Sequence, residues 1–203
     1  MGILWRAVVA WWDDMIDFFI VNLLWLALTF TLIGLPPALA AMYQMAAHSV
    51  ERDLVDWRKF LAAFRHNFIA AWRWGLLQLI IYGVGMFNFL YYSYAEGDLW
   101  VVLRLIWFFV LFTLTVLNIF YWPFFFQEED RRIMNTYRNV LVMLAVHTGR
   151  AAFVVVFTIV YGMFSVMTGV LLTFATMPII TLMATLLVFD VLKPHRQSPL
   201  VSR

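Results

Sequence analysis

Two long runs of the chain carry no charged residue, Phe18 to Ala47 and Ala151 to Phe189. At about 1.5 Å of rise per helical residue, the second run is roughly 58 Å of helix, nearly two thicknesses of a hydrocarbon core of about 30 Å. The first run is roughly 45 Å long and also exceeds one crossing. The pattern therefore predicts a helical protein that crosses a membrane several times.

Proline is the predicted break within each run. Gly34 precedes Pro36 and Pro37, which disfavour a continuing helix but suit the first turn of a new one. Pro178 is the predicted corner of the last run, because membrane helices tolerate isolated glycines. The predicted spans are 15–33, 38–50, 74–95, 99–127, 151–173 and 179–192.

Lysine and arginine alternate with these spans. Segment 51–73 carries five of them and segment 127–150 carries four, whereas the turns 95–98 and 174–178 carry none. The positive-inside bias predicts that the basic segments and the C-terminus are cytoplasmic. The N-terminus is cytoplasmic if segment 38–50 crosses the membrane and external if it does not.

The predicted fold class is an all-α integral membrane protein, a bundle of six or alternatively five transmembrane helices with two amphipathic cytoplasmic elbow helices. Apolar residues recur at helical spacing in 57–72 and in 132–144, which predicts elbows lying on the inner leaflet. One membrane domain, 1–203, thus has seven parts: an interfacial segment 1–14, a proline-turned pair 15–50, an elbow 51–73, a hairpin 74–126, an elbow 127–150, a hairpin 151–192 and a cytoplasmic tail 193–203.

Composition supports a membrane location. Hydrophobic residues make up 65% and charged residues 13% of the chain, against roughly 45–50% and 25% in soluble domains. The small net charge of +2 gives no reason to expect nucleic acid as a partner. A cleaved signal peptide is disfavoured, because Arg6 stands alone against Asp13, Asp14 and Asp17 in the N-terminal region.

Catalytic and metal-binding patterns are missing from the sequence. The four histidines are far apart, and there is no cysteine. Asp13 and Asp17 lie one helical turn apart and suit a hydrated helix start better than a cation site. We therefore expect no enzyme activity, no cofactor and no metal.

Polar residues within the predicted spans are the better candidates for function, because polar groups are costly in lipid. Helix–helix hydrogen bonding is the expected role of such amides, and substrate contact is the alternative. The candidate intramembrane contacts are Asn22, Gln78, Asn88, Arg104 and Asn118.

Two blocks of sequence resemble a known family. The segments 22–26, 34–38 and 41–43 read NLLWL, GLPPA and AMY, and the elbow 60–68 reads FLAAFRHNF. These resemble the YesL-like family of bacterial multi-pass membrane proteins, although the doubled Pro36-Pro37 departs from its commoner single proline. The resemblance implies the bacterial cytoplasmic membrane. It also suggests a link to carbohydrate uptake, because members often occur beside sugar-uptake ABC transporters; it assigns no binding residues.

The functional expectation is a non-enzymatic accessory or interaction protein associated with carbohydrate uptake. Its expected partners are the lipid bilayer and either ABC-type sugar importer subunits or further copies of itself. The alternative is a small stand-alone transporter or channel, whose path would be lined by Asn22, Asn88 and Asn118. A proton-coupled carrier is disfavoured, because acidic residues are absent from the centres of the predicted spans.

Overall fold

The computed structural model describes the backbone of residues 2–196 and the side chains of residues 2–193. Every regular element in this part of the chain is a helix. The elements are α1 (Ile3–Asp13), α2 (Met15–Thr29), α3 (Leu35–Val50), α4 (Trp57–His66), α5 (Phe68–Ser93), α6 (Asp98–Phe125), α7 (Ile133–Val146), α8 (Thr148–Thr168), α9 (Val170–Phe174) and α10 (Thr176–Arg196). Most of the predicted tail 193–203 lies outside the described residues.

Four helices are long and apolar enough to cross a membrane: α5, α6, α8 and α10. The protein is therefore a helical membrane protein, as the hydrophobic pattern predicts. The helices α2 and α3 have 15 and 16 residues, which is about 22 to 24 Å and shorter than a hydrocarbon core of about 30 Å. The predicted total of six crossing helices stays a prediction.

The predicted helix 15–33 ends earlier than expected, at Thr29. The hydroxyl of Thr31 donates to the carbonyl of Leu28 and accepts from the backbone N–H of Gly34. Leu32 takes a positive φ of 59°, which is unfavourable for a residue with a side chain and incompatible with a continuing helix. The chain then enters α3 at Leu35, with both prolines in its first turn.

The centre of the molecule is formed by α3 and α10, which pack against each other and share α6 as a neighbour. Small residues give α3 its close contacts, since Ala38, Ala40, Ala41 and Ala46 are fully buried. In α10, every residue from Pro178 to Val188 is buried. A helix that is buried on all sides has protein rather than lipid around it.

The predicted corner at Pro178 is wrong. Pro178 lies within the first turn of α10, where its missing N–H breaks no helical hydrogen bond. The chain turns between Gly169 and Ala175 instead, with the short α9 in between. Gly169 has a φ of +65°, a conformation that glycine adopts without a steric penalty.

The first elbow packs on protein rather than on lipid. Its predicted range 57–72 divides at Asn67 into α4 and the start of α5. The apolar face of α4 packs against α3, with Phe60 and Ala63 buried. The second elbow, α7, packs on α6 through its buried face and leaves Met134 and Val146 exposed.

The N-terminal helix lies at the same end of the molecule as the end of α10. The helix α1 packs on α10, and the Arg6 guanidinium forms an ion pair with Asp190 at 2.7 Å. The pair α2–α3 is antiparallel, because Ser49 near the end of α3 donates to Asp14 just before α2. Both described ends of the chain therefore lie on one side of the bundle.

The hairpin of α5 and α6 extends beyond this bundle. The Trp72 indole donates to the carbonyl of Ile33 at 3.0 Å, so the α2–α3 turn lies beside the first turns of α5. From Gly75, which faces Pro36, α5 continues to Ser93, a distance of roughly 27 Å. We call the part of the hairpin formed by residues 79–114 the outer hairpin.

Candidate functional site

Two of the predicted intramembrane residues, Gln78 and Asn118, meet at Tyr137, which lies in the second predicted elbow. The Gln78 amide donates to the hydroxyl of Tyr137 at 2.7 Å, and that hydroxyl donates to Asn118 Oδ1 at 2.7 Å. Asn118 closes the ring by donating to Gln78 Oε1 at 2.9 Å. The three side chains come from α5, α6 and α7, so the ring joins three helices.

The ring is extended by hydroxyl and indole groups around it. The Trp74 indole N–H donates to the Tyr137 hydroxyl at 3.1 Å, and Asn118 also reaches the Tyr82 hydroxyl at 3.4 Å. Tyr82 in turn bonds with Thr115 at 2.8 Å. We call Trp74, Gln78, Tyr82, Thr115, Asn118 and Tyr137 the polar ring cluster. Its amide groups bond to one another, which is the arrangement expected for structural contacts in lipid.

Asn22 lies apart from the polar ring cluster. It is on α2 and faces the turn before α10. Its amide N–H groups donate to the carbonyls of Leu172 and Thr173 at 2.9 and 2.6 Å. These carbonyls belong to the end of α9, where no following helical N–H is available to them. Asn22 therefore satisfies the carbonyls of the irregular backbone segment between α8 and α10. Its Oδ1 has no partner among the described residues.

The other two predicted residues do not join the polar ring cluster. The Asn88 amide donates to Val84 of its own helix at 2.9 Å, so it makes a contact within α5 rather than between helices. Arg104 lies in the second turn of α6 and is half-buried. The structure therefore separates Gln78 and Asn118 from Asn22, Asn88 and Arg104, and the path suggested for a transporter is not formed as a common lining.

A polar cleft of about 590 Å³ lies at the end of the bundle where α1, α10 and the segment after α3 meet. We call it the end cleft. Its charged lining residues are Arg6, Asp13, Asp14, Arg52, Asp53 and Lys193. The sequence analysis assigned Asp13 and Asp17 to a hydrated helix start, and the spacing of the other lining residues in the chain does not predict that they meet.

Some of the charges in the end cleft are already paired. Arg6 binds Asp190, and Asp53 binds both Lys59 at 2.9 Å and His48 at 2.8 Å. The hydrogen bond from Lys59, followed by that from the backbone N–H of Leu54, lowers the pKa of Asp53. These pairs hold in place the segment between α3 and α4, which lines one part of the end cleft.

Asp14 is in a different environment. Partial burial raises its pKa, and the neighbouring Asp17 and Asp13 act in the same direction, while the hydrogen bond from Ser49 opposes them. A carboxylate that is short of positive neighbours gains from a cation nearby. No group of three or more metal-ligating carboxylates or histidines occurs among the described side chains.

Comparison with known families adds one finding. A family model described as "Protein of unknown function, DUF624" matches residues 18–89. Over these residues the chain is similar to the DUF624 family. The YesL-like family is known under this designation, so the resemblance carried by Asn22 to Tyr43 and by Phe60 to Phe68 is confirmed.

The matched region covers α2 to α5, which is about a third of the chain. No curated protein and no solved structure matches the chain. The family description assigns no activity.

Proposed function

We propose that this protein is a non-enzymatic accessory component of the bacterial cytoplasmic membrane, associated with carbohydrate uptake. The supporting observation is the polar ring cluster, in which Gln78, Asn118 and Tyr137 satisfy one another. A transport path needs polar groups that are free to exchange partners with a substrate. Here those groups hold three helices together, which suits a protein with a structural role.

The outer hairpin supplies the surface for the partner. Many of its residues are large, apolar and exposed; Phe109, for example, is 60% exposed. In a membrane, such a surface contacts lipid or another membrane protein. The proposed partner is a permease subunit of an ABC-type sugar importer, in keeping with the family resemblance, and self-association is the competing outcome.

The orientation we propose places both described ends on the cytoplasmic face, in agreement with the basic segments. We further propose that α2 and α3 enter the membrane as a pair without crossing it, leaving four crossing helices. Their turn lies beside the first turns of α5. In addition, α4 covers the flank of α3 and exposes Arg58 and Arg65, which require water or headgroups.

Cysteine labelling tests this topology, because the chain has no native cysteine. Leu32→Cys marks the α2–α3 turn, Glu96→Cys is the external control and Arg131→Cys is the cytoplasmic control. A membrane-impermeant maleimide added to intact cells should label position 96 and leave positions 32 and 131 unlabelled. Labelling at position 32 from outside would establish the six-helix arrangement instead.

Site-specific photocrosslinking in the native membrane tests the accessory role. A photoreactive phenylalanine analogue at exposed Phe109 should crosslink to importer permease subunits, and the same analogue at buried Phe120 is the matched control. Mass spectrometry identifies the products. Crosslinks from position 109 to lipid alone, together with unchanged oligosaccharide uptake in a deletion strain, would refute the proposal.

The rival function, a stand-alone transporter or channel, is tested with the purified protein. Purified protein in liposomes should give no flux of sugars or ions, since Asn22, Asn88 and Asn118 lie apart and their amides are already engaged in hydrogen bonds. Substrate flux with this protein alone would replace the accessory role with a stand-alone transporter.

A further inference from the structure

The end cleft contains charges of both signs that do not pair with one another. Among the described residues, no ion pair is formed by Asp13, Asp14, Arg52 or Lys193. All four line the same cleft. Opposite charges that share a cleft of about 590 Å³ and stay farther apart than a salt bridge leave room for a ligand between them.

The two signs come from different parts of the chain. Asp13 and Asp14 lie at the junction of α1 and α2. Arg52 follows α3, and Lys193 lies in the last turns of α10. We call the carboxylates of the α1–α2 junction the acidic side of the cleft, and Arg52 and Lys193 its basic side. Arg6 and Asp53 line the cleft too, but they are paired with Asp190 and with Lys59 and His48.

We propose that the end cleft binds the headgroup of a zwitterionic phospholipid of the ethanolamine class, with its ammonium at Asp13 and Asp14 and its phosphate at Arg52 and Lys193. In this headgroup two carbon atoms separate the cationic and anionic ends, so one molecule presents both signs. The volume lies within the usual range of about 300–1,000 Å³ for small-molecule sites.

The apolar part of the lining suits the remainder of a lipid. Val9, Val50 and Leu186 line the same cleft and can contact the glycerol and the first carbons of the acyl chains. A soluble zwitterion such as free phosphoethanolamine has no such apolar part. This difference favours the lipid as the source of the headgroup.

The position of α1 places the cleft in the headgroup layer. Trp5 and Trp12 on α1 are 56% and 66% exposed, and tryptophan side chains concentrate at the membrane–water interface. The same helix contributes Arg6, Val9 and Ala10 to the cleft. A lipid in the adjacent leaflet can therefore reach the site without leaving the membrane surface.

The environment of Asp14 agrees with a cationic ligand. Burial and two neighbouring carboxylates raise its pKa, and an ammonium group would offset both effects. The ligand's ammonium would therefore supply the positive charge that the acidic side of the cleft lacks.

The test uses the full chain in nanodiscs that contain equal amounts of ethanolamine, choline and glycerol phospholipids, followed by native mass spectrometry. Retention of the ethanolamine lipid should exceed that of the choline lipid by about tenfold, because the methylated ammonium cannot donate to carboxylates. Equal retention of the two zwitterionic lipids would overturn the proposal.

Variants assign the two sides of the cleft. Asp13→Asn should remove most of the preference for ethanolamine over choline, whereas Arg52→Gln combined with Lys193→Gln should weaken all phospholipids by about tenfold. Arg138→Gln, an exposed charge on α7, is the matched control and should change neither. Unchanged retention in the cleft variants would assign the lipids to another surface.

A competition experiment distinguishes the source of the headgroup. Delipidated protein in detergent should regain ethanolamine lipid and ignore free phosphoethanolamine at the same concentration. Preference for the free compound would overturn the lipid assignment. These measurements need no protein partner, so their failure would leave the accessory role untouched.

Discussion

The helix α10 and the first half of α6 are both apolar, but their surroundings are opposite. In the most apolar stretch of α6 no residue is buried inside the protein, whereas 61% of the corresponding stretch of α10 is buried. In water, an apolar stripe identifies the core. In a membrane it does not, because lipid and protein interior are equally suited to apolar side chains.

Small and polar residues separate the two environments better than hydrophobicity does. The buried centre contains the alanines of α3 and the hydroxyls of Thr181 and Thr185 in α10. The inner end of α6 carries Asn118 and the buried Tyr121. The outer hairpin carries large aliphatic and aromatic side chains instead, and at Gly85 the side chains of Trp107 and Leu111 come close to the backbone of α5.

The largest expected contrast is between two phenylalanines of the same helix. Phe120 is fully buried and Phe109 is 60% exposed. Phe120→Ala should destabilise the protein by about 3 to 5 kcal/mol through the cavity it leaves, whereas Phe109→Ala should cost less than about 1 kcal/mol. Equilibrium unfolding by SDS in mixed micelles measures both. Equal losses would mean that the outer hairpin is packed against another chain.

Glycines give the second contrast. A methyl group at Gly75 would lie 2.8 Å from the ring of Pro36, while nothing lies within 4 Å of one at Gly83. Because the proline ring cannot move aside, Gly75→Ala should destabilise by about 1 to 3 kcal/mol through overpacking. Gly83→Ala should be neutral or slightly stabilising, since alanine is the better helix former. A neutral Gly75→Ala would show that α3 and α5 are not held in close contact.

Much of the architecture could be predicted from the sequence, because charge and proline mark the ends of apolar helices. The prediction for α6, 99–127, is close to the observed range, and Gln78 and Asn118 take part in hydrogen bonds between helices. The turn at Gly169 was not predicted, since an isolated glycine is tolerated within a membrane helix and gives no clear break signal. The proline at 178 gave the stronger local signal.

The hydrogen bonds of Tyr137 and the end cleft could not be predicted from the sequence, for a different reason. The periodic pattern predicts that Tyr137 lies on the apolar face of an elbow. This describes the position of its ring but gives no hydrogen-bond partner for its hydroxyl. The cleft combines residues from α1, from the segment after α3 and from α10. Only the tertiary packing of α1 on α10 brings them together, and no spacing in the chain records that packing.

Asparagines give the third and smaller contrast. Asn118 bonds to side chains of two other helices, while Asn88 bonds only to its own helix. Asn118→Ala should cost about 1 to 2 kcal/mol, because bonds of this kind contribute about 0.6 kcal/mol each and their partners are left unsatisfied. Asn88→Ala should change stability by less than about 0.5 kcal/mol. A double-mutant cycle of Asn118→Ala with Tyr137→Phe should show coupling, and strict additivity would contradict the ring.

The smallest expected effect is the pH dependence of stability that comes from Asp53 in the end cleft. Hydrogen bonds from Lys59 and Leu54 lower the pKa of Asp53 below its ordinary 3.8. A carboxylate with a lowered pKa contributes stability above its unfolded pKa, and this contribution is lost as the pH falls through the lower folded value. The apparent Tm should therefore fall more steeply below about pH 4 in the native protein than in Asp53→Asn.

The matched control is Asp98→Asn, which removes a carboxylate from the turn of the outer hairpin and should keep the native slope. Because Asp53 is exposed, the difference should be small, and identical slopes in all three proteins would show that the ion pairs at this end contribute nothing to stability.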